Sequence, residues 1–124
     1  MKGELEFDII EPLIRSYRLE RLILKTGCSV AAGSFPEQWP SISESCTRTL
    51  VGLGLKLLAV DAPSVDLRDS KSLAVHKMLF QGNACIIENL DLRRTPPGQY
   101  ELIAFPVKMM ALDAAPLRAI LVSH

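Results

Sequence analysis

The chain of 124 residues contains two histidines, three cysteines and one tryptophan, and its fourteen basic residues are balanced by fourteen acidic ones. Each shortage removes a class of function. Charges of both signs are interspersed, so there is no basic face to meet a phosphate backbone, and nucleic acid is not expected as a partner. No apolar run approaches the roughly 20 residues that cross a bilayer, and no membrane association is expected either. MKGELEFDII carries acidic residues where a secretory leader needs a basic start and an apolar block. Cys28, Cys46 and Cys85 are odd in number and lack zinc-type spacing, which suits reduced thiols in the cytoplasm better than a disulfide framework. A nucleophilic cysteine needs a base nearby, and His76 is the only interior candidate, because His124 is the last residue. Internal repeats and low-complexity segments are absent too.

What is present is the composition of an ordinary globular domain, 48% hydrophobic. A chain of this length buries roughly two-thirds of its unfolded surface, enough for one core, so a single domain over residues 1–124 is expected. Glu6 to Ile14 has weak helical character interrupted by Pro12. Arg21 to Thr26, RLILKT, reads as a strand stopped at Gly27. GSFPEQWP, Gly33 to Pro40, must be loop, anchored by Phe35 and Trp39. Trp39 suits packing beneath that loop, or a flat wall for an aryl substrate.

Ser41 to Glu44 has the pattern of a capping box, with Ser41 accepting from the first turn and Glu44 reaching back. The helix it opens aligns Ile42, Cys46, Thr49, Leu50 and Leu53 on one face and stops near Gly54. Leu55 to Val60 is then a near-continuous apolar run, as in a strand covered on both faces. Strand, helix and strand of these lengths make a parallel, right-handed crossover. A second such unit follows, with a helix over Lys71 to Gln81, a stop at Gly82-Asn83 and a strand over Ala84 to Leu90. Thr95 to Gly98 is a turn, and strands are expected at Tyr100 to Val107 and Leu117 to Val122. The fold class is therefore α/β, a mixed sheet with βαβ crossovers.

Two ionisable residues stand where apolar ones belong. The Lys71 to Gln81 helix is apolar nearly all round, with His76 sharing a face with Leu73 and Phe80, so the helix is expected to be buried and its histidine partnered. In the following strand a period of two puts Glu88 on the face of Ala84, Ile86 and Leu90, where an unpaired carboxylate costs several kcal/mol. Roughly 9 Å of helix and 16 Å of strand separate them from their shared turn, so the two side chains can reach one site. Separate hydrogen bonds of each to the backbone would satisfy the same pattern. Ligands of open α/β sheets bind beyond the carboxyl ends of the strands, which brings in Asp61, Ser64 and Asp66 as substrate or site-edge candidates. Both aspartates also suit caps on a Pro-Ser turn.

VDAPSVD, the Asp69-Ser70 pair, His76, the ENL of Glu88 to Leu90 and PGQYELIAFPVKMMALDAAPLRAIL together resemble the C-terminal part of bacterial kynurenine formamidases, in the cyclase family of metal-dependent hydrolases. The resemblance implies the C-terminal part of that family's swivelling β/β/α fold, with His76 as a metal ligand and Glu88 as a carboxylate ligand bridging two ions. It implies zinc or manganese as cofactor, a small formamide as substrate, and hydrolysis of N-formylkynurenine to kynurenine and formate. The family's H-x-G-T-H-x-D-x-P motif, which supplies the remaining ligands and the acid/base histidine, has no counterpart here. A chain with that portion lost is expected to hold metal weakly or not at all, to contain no complete catalytic set and to be inactive alone. Strand edges left without their cover favour a homodimer or larger homo-oligomer. A non-catalytic structural or oligomerising remnant, and a related hydrolase of another amide or lactone, are the other two readings.

Overall fold

The computed structural model describes residues 3–124. They form two compact units, one ending at Arg93 and one of Arg94–His124. The first is an α/β unit around a parallel sheet of β2 (Arg21–Leu24), β4 (Leu57–Val60) and β5 (Cys85–Ile87), in the order β2-β4-β5. Register runs Leu22↔Leu58 on one side of β4 and Leu58↔Ile86 on the other. Parallel neighbours need crossovers, and two helices supply them: α2 (Glu44–Gly52) between β2 and β4, and α3 (Ala74–Gln81) between β4 and β5. β4 is accordingly the driest strand, with Leu58 and Ala59 fully buried.

α1 (Phe7–Ser16) continues through Pro12 and beyond the expected end at Ile14. One backbone bond is lost at the proline, while Tyr17 N–H still reaches Leu13 O at 2.9 Å and Ile10 is anchored in the core. Two short strands escape any periodicity argument, β1 (Glu4–Leu5) and β3 (Ser41–Ile42), paired parallel. Their pairing shifts the cap of α2. Ser41 lies in the ladder, and the capping residue is Ser43, whose hydroxyl accepts from Cys46 N–H at 3.1 Å and donates to Glu6 at 3.0 Å. The expected Ser41–Glu44 box is thus corrected by two residues, with Glu6 rather than Glu44 as the acidic partner. The helix stops as expected, because Gly54 takes φ +94°, a left-handed conformation suited to glycine.

β4 and β5 are shorter than the apolar runs that announce them. Leu55 is a buried loop residue ahead of β4, and β5 ends at Ile87 because Asn89 turns left-handed at φ 61°. Glu88 therefore sits just past the strand's carboxyl end. α3 starts at Ala74 rather than Lys71, since Leu73 at φ 51° cannot extend it. The expectation that α3 is buried all round is also corrected: Val75 and Leu79 face the core, whereas Leu73 and Phe80 are exposed. α2 and α3 pack closely at Gly82, where an added β-carbon would collide with Val51 Cγ1.

The second unit is an antiparallel hairpin of β6 (Glu101–Pro106) and β7 (Leu117–Val122), paired from Glu101↔Val122 to Pro106↔Leu117. Parallel and antiparallel pairing both occur, in separate sheets.

Candidate functional site

All three strands of the parallel sheet end on one edge, and each end carries a polar residue or is followed by one. Past β4 comes Asp61, 2% exposed, which accepts from Thr26 N–H at 2.8 Å, Thr26 Oγ1–H at 2.6 Å and Gly27 N–H at 2.9 Å. Its carboxylate ties the end of β2 to the end of β4. Ser64 Oγ accepts from Asp66 N–H at 3.1 Å, a local turn bond. Trp39 is buried and donates its indole N–H to Asp66 O at 2.8 Å, with Phe35 packed edge-on at 5.8 Å. Its flat face belongs to the core rather than to an open wall.

Asp66, His76 and Glu88 do come together. α3 has no local side-chain cap, because Leu73 occupies that position. The cap comes from eight residues before the helix: Asp66 Oδ1 accepts from Val75 N–H at 3.0 Å and Oδ2 from His76 N–H at 3.1 Å. The same Oδ2 lies 2.7 Å from His76 Nδ1. On the other side of the ring Nε2 lies 2.9 Å from Glu88 Oε1, which also accepts from Val65 N–H at 3.0 Å. Phe80, one turn along, has its ring centroid 6.2 Å from the imidazole. Just past Glu88 the backbone is clipped back to the end of β4 and the loop after it, by Leu90 N–H to Val60 O at 3.2 Å and Asn89 N–H to Ala62 O at 3.0 Å.

The ring is thus flanked by a carboxylate at each nitrogen, Asp66 at 2.7 Å from Nδ1 and Glu88 at 2.9 Å from Nε2, and which nitrogen donates depends on the tautomer. Nε2 and Oε1 lie 2.9 Å apart, at hydrogen-bond distance, and would have to part by roughly 0.5 Å to share a tetrahedral ion that each binds at about 2.0–2.2 Å. Their side chains are 21% and 26% exposed, so the pair is open to an ion from solvent. Among the described residues, no group of three His, Cys, Asp or Glu side chains is placed to hold one ion. Asp66 approaches the ring from the opposite nitrogen and cannot be the third ligand to an ion on Nε2. Imidazole and carboxylate are donor types that zinc takes, but two of them fall short of the three protein ligands and a water of a catalytic zinc site.

The chain is 40% identical over 103 residues to a protein of Bacillus cereus named kynurenine formamidase, a match covering 83% of this chain and 49% of that one. Over this matched stretch the chain is homologous to proteins named kynurenine formamidase. Its counterpart in Bacillus cytotoxicus is 41% identical over 103 residues, covering 83% of this chain and 49% of its own length. That of Salinibacter ruber is 40% identical over 106 residues, covering 82% and 49%. The chain thus spans about half the length of the curated relatives it matches. Among solved structures, a predicted metal-dependent hydrolase from Bacillus stearothermophilus superimposes with a TM-score of 0.65 at 32% identity, covering 71% of this chain and 42% of that one. A potential metal-dependent hydrolase with cyclase activity gives 0.61 at 33% identity, covering 66% and 40%. No protein-family model matches the chain.

Sequence reasoning missed the link between Asp66 and His76. No local signal marked it, because Ser70 and Ser72 stand close ahead of α3 as candidate caps, whereas the cap used lies eight residues before the helix.

Proposed function

We propose that this chain carries part of the metal site of a formamide-cleaving hydrolase of the kynurenine formamidase type, with His76 and Glu88 as two ligands to zinc or manganese. The observation that supports it is the convergence of Nε2 and Oε1 at 2.9 Å on an imidazole whose other nitrogen is already held by a carboxylate. A bound ion of this kind supplies a water whose pKa is lowered to about 7. Asp61 and Ser64 stand outside the proposal, because their bonds hold loop backbone. Trp39 stands outside it as a buried support.

Amide cleavage also needs a general acid for the departing nitrogen, a contribution of typically 10²–10⁴-fold. His76 cannot provide it, with Nδ1 on Asp66 and Nε2 on the metal side. The 124-residue chain alone is therefore inactive toward N-formylkynurenine, whereas a protein that adds the missing ligands and an acid hydrolyses it and depends on His76 and Glu88. Free thiols at Cys28, Cys46 and Cys85 support a place in the reducing cytoplasm.

Zinc titration by calorimetry tests the site. Weak binding that disappears in His76→Ala and in Glu88→Ala is expected. Binding unchanged in both variants overturns the ligand assignment. Tight stoichiometric zinc after chelator washing overturns the two-ligand count, and formate release by the chain alone overturns its inactivity.

A second reading, a structural or oligomerising module of the same fold, is favoured by the lack of a third ligand among the described residues. Both readings include self-association as a homodimer or larger species, because β2 and β5 form the edges of the parallel sheet. A related amide or lactone hydrolase differs from the first reading only in substrate.

A further inference from the structure

We propose that Asp66 is a positioning residue that sets the tautomer of His76, keeping the ring proton on Nδ1 and the Nε2 lone pair toward Glu88. The role of Nε2 as a ligand rests on the reading above, but the tautomer itself does not. Two carboxylates compete for one imidazole, and the distances and burial decide between them. Asp66 Oδ2 is the nearer at 2.7 Å against 2.9 Å for Glu88, and its side chain is 5% exposed against 26%. A hydrogen bond in the drier place is electrostatically the stronger.

Asp66 also cannot turn away. Val75 N–H and His76 N–H hold its two oxygens, Trp39 Nε1–H holds its carbonyl at 2.8 Å, and its own N–H is tied to Ser64 Oγ at 3.1 Å. One carboxylate thus joins the start of α3 to the orientation of the ring that the helix carries. Partners of this kind on the far nitrogen fix a metal-binding histidine's tautomer and raise its basicity. A bare helix cap would use the two backbone bonds and leave the ring indifferent.

The chain has two histidines, and His124 is exposed beside Glu101, so His124→Ala leaves a single ring to observe. Nitrogen-15 NMR of the metal-free protein, at a pH where that ring is neutral, should place its proton on Nδ1, although a free neutral histidine prefers Nε2. Asp66→Asn offers one acceptor oxygen in place of two and should move the proton toward Nε2. It should also weaken zinc binding about 10–100-fold. A neutral ring protonated on Nε2 in the otherwise unaltered chain overturns the proposal, and so does a folded Asp66→Asn that keeps Nδ1–H. If Asp66→Asn does not fold by circular dichroism, the spectrum of the unsubstituted site decides alone. A protein that binds no zinc yet shows Nδ1–H removes the metal reading and leaves this one standing.

Discussion

The parallel unit and the hairpin are made from similarly apolar strands, LLAV in β4 against LIAF in β6 and AILV in β7, yet only the parallel unit buries them. Leu58 and Ala59 are inaccessible to solvent, whereas no residue from 94 to 124 is buried, and Phe105 is 65% exposed. The difference lies in the connections. Parallel neighbours need a crossover long enough to hold a helix, and the helix then covers the sheet it connects. An antiparallel pair needs a loop alone, and nothing obliges that loop to cover either face. A two-stranded hairpin taken by itself is at best marginally stable in water. Apolar content therefore predicts burial here only where the chain must cross over.

Core substitution should show the largest contrast. Leu58→Ala removes a fully buried side chain from the central strand and should cost about 2–5 kcal/mol in chemical denaturation. Ile120→Ala, at a site 46% exposed in β7, should stay within about 1 kcal/mol. Equal costs would mean that the hairpin has a core of its own and would erase the contrast.

The cysteines sharpen it within the first unit. Burial, aided by the Glu6 and Asp8 carboxylates, pushes the Cys46 thiol up to about 11, while Cys85 is exposed in β5. At pH 8 a thiol reagent should modify Cys85 readily and reach Cys46 only after denaturation. Prompt modification of Cys46 in the folded protein would show that the space under α2 opens on its own.

The smallest effect belongs to the rim of the sheet. A hydrogen bond from Lys56 Nζ at 3.2 Å, with the lysine's charge, holds the Glu20 carboxyl below its ordinary value. A depressed carboxylate adds stability above its unfolded pKa of about 4.3 and loses it as pH falls through the folded one. Glu20→Gln should therefore lower stability slightly at pH 6 and leave it unchanged at pH 2. Salt should reduce the pH 6 difference, because the pair is exposed.

Both crossovers were legible in the sequence, since glycine stops at 54 and 82 separate apolar runs whose periods differ. The meeting of His76 and Glu88 was legible as well, because both stand at positions that apolar neighbours would otherwise fill. What local pattern could not supply was anything held by distant partners. Ser43 displaces Ser41 as a cap because β1, thirty-seven residues earlier in the ladder, engages Ser41. Asp66 caps a helix eight residues away, and Asp61 serves backbone thirty-five residues back, so both look alike as aspartates in a Pro-Ser loop. Strand lengths were overestimated because hydrophobicity continues into Leu55 and Leu90, whereas the regular strands span only Leu57–Val60 and Cys85–Ile87.

The contact between Gly82 and Val51 has a consequence for how this sequence can drift. Gly82 has an ordinary negative φ, so its backbone would accept any residue, and space alone forbids one. The obstructing atom is a valine methyl, which has no long flexible stem to bend aside. Positions 51 and 82 are consequently one choice made twice. A side chain can be gained at 82 only where bulk is given up at 51, and the distance between α2 and α3 is inherited through the pair.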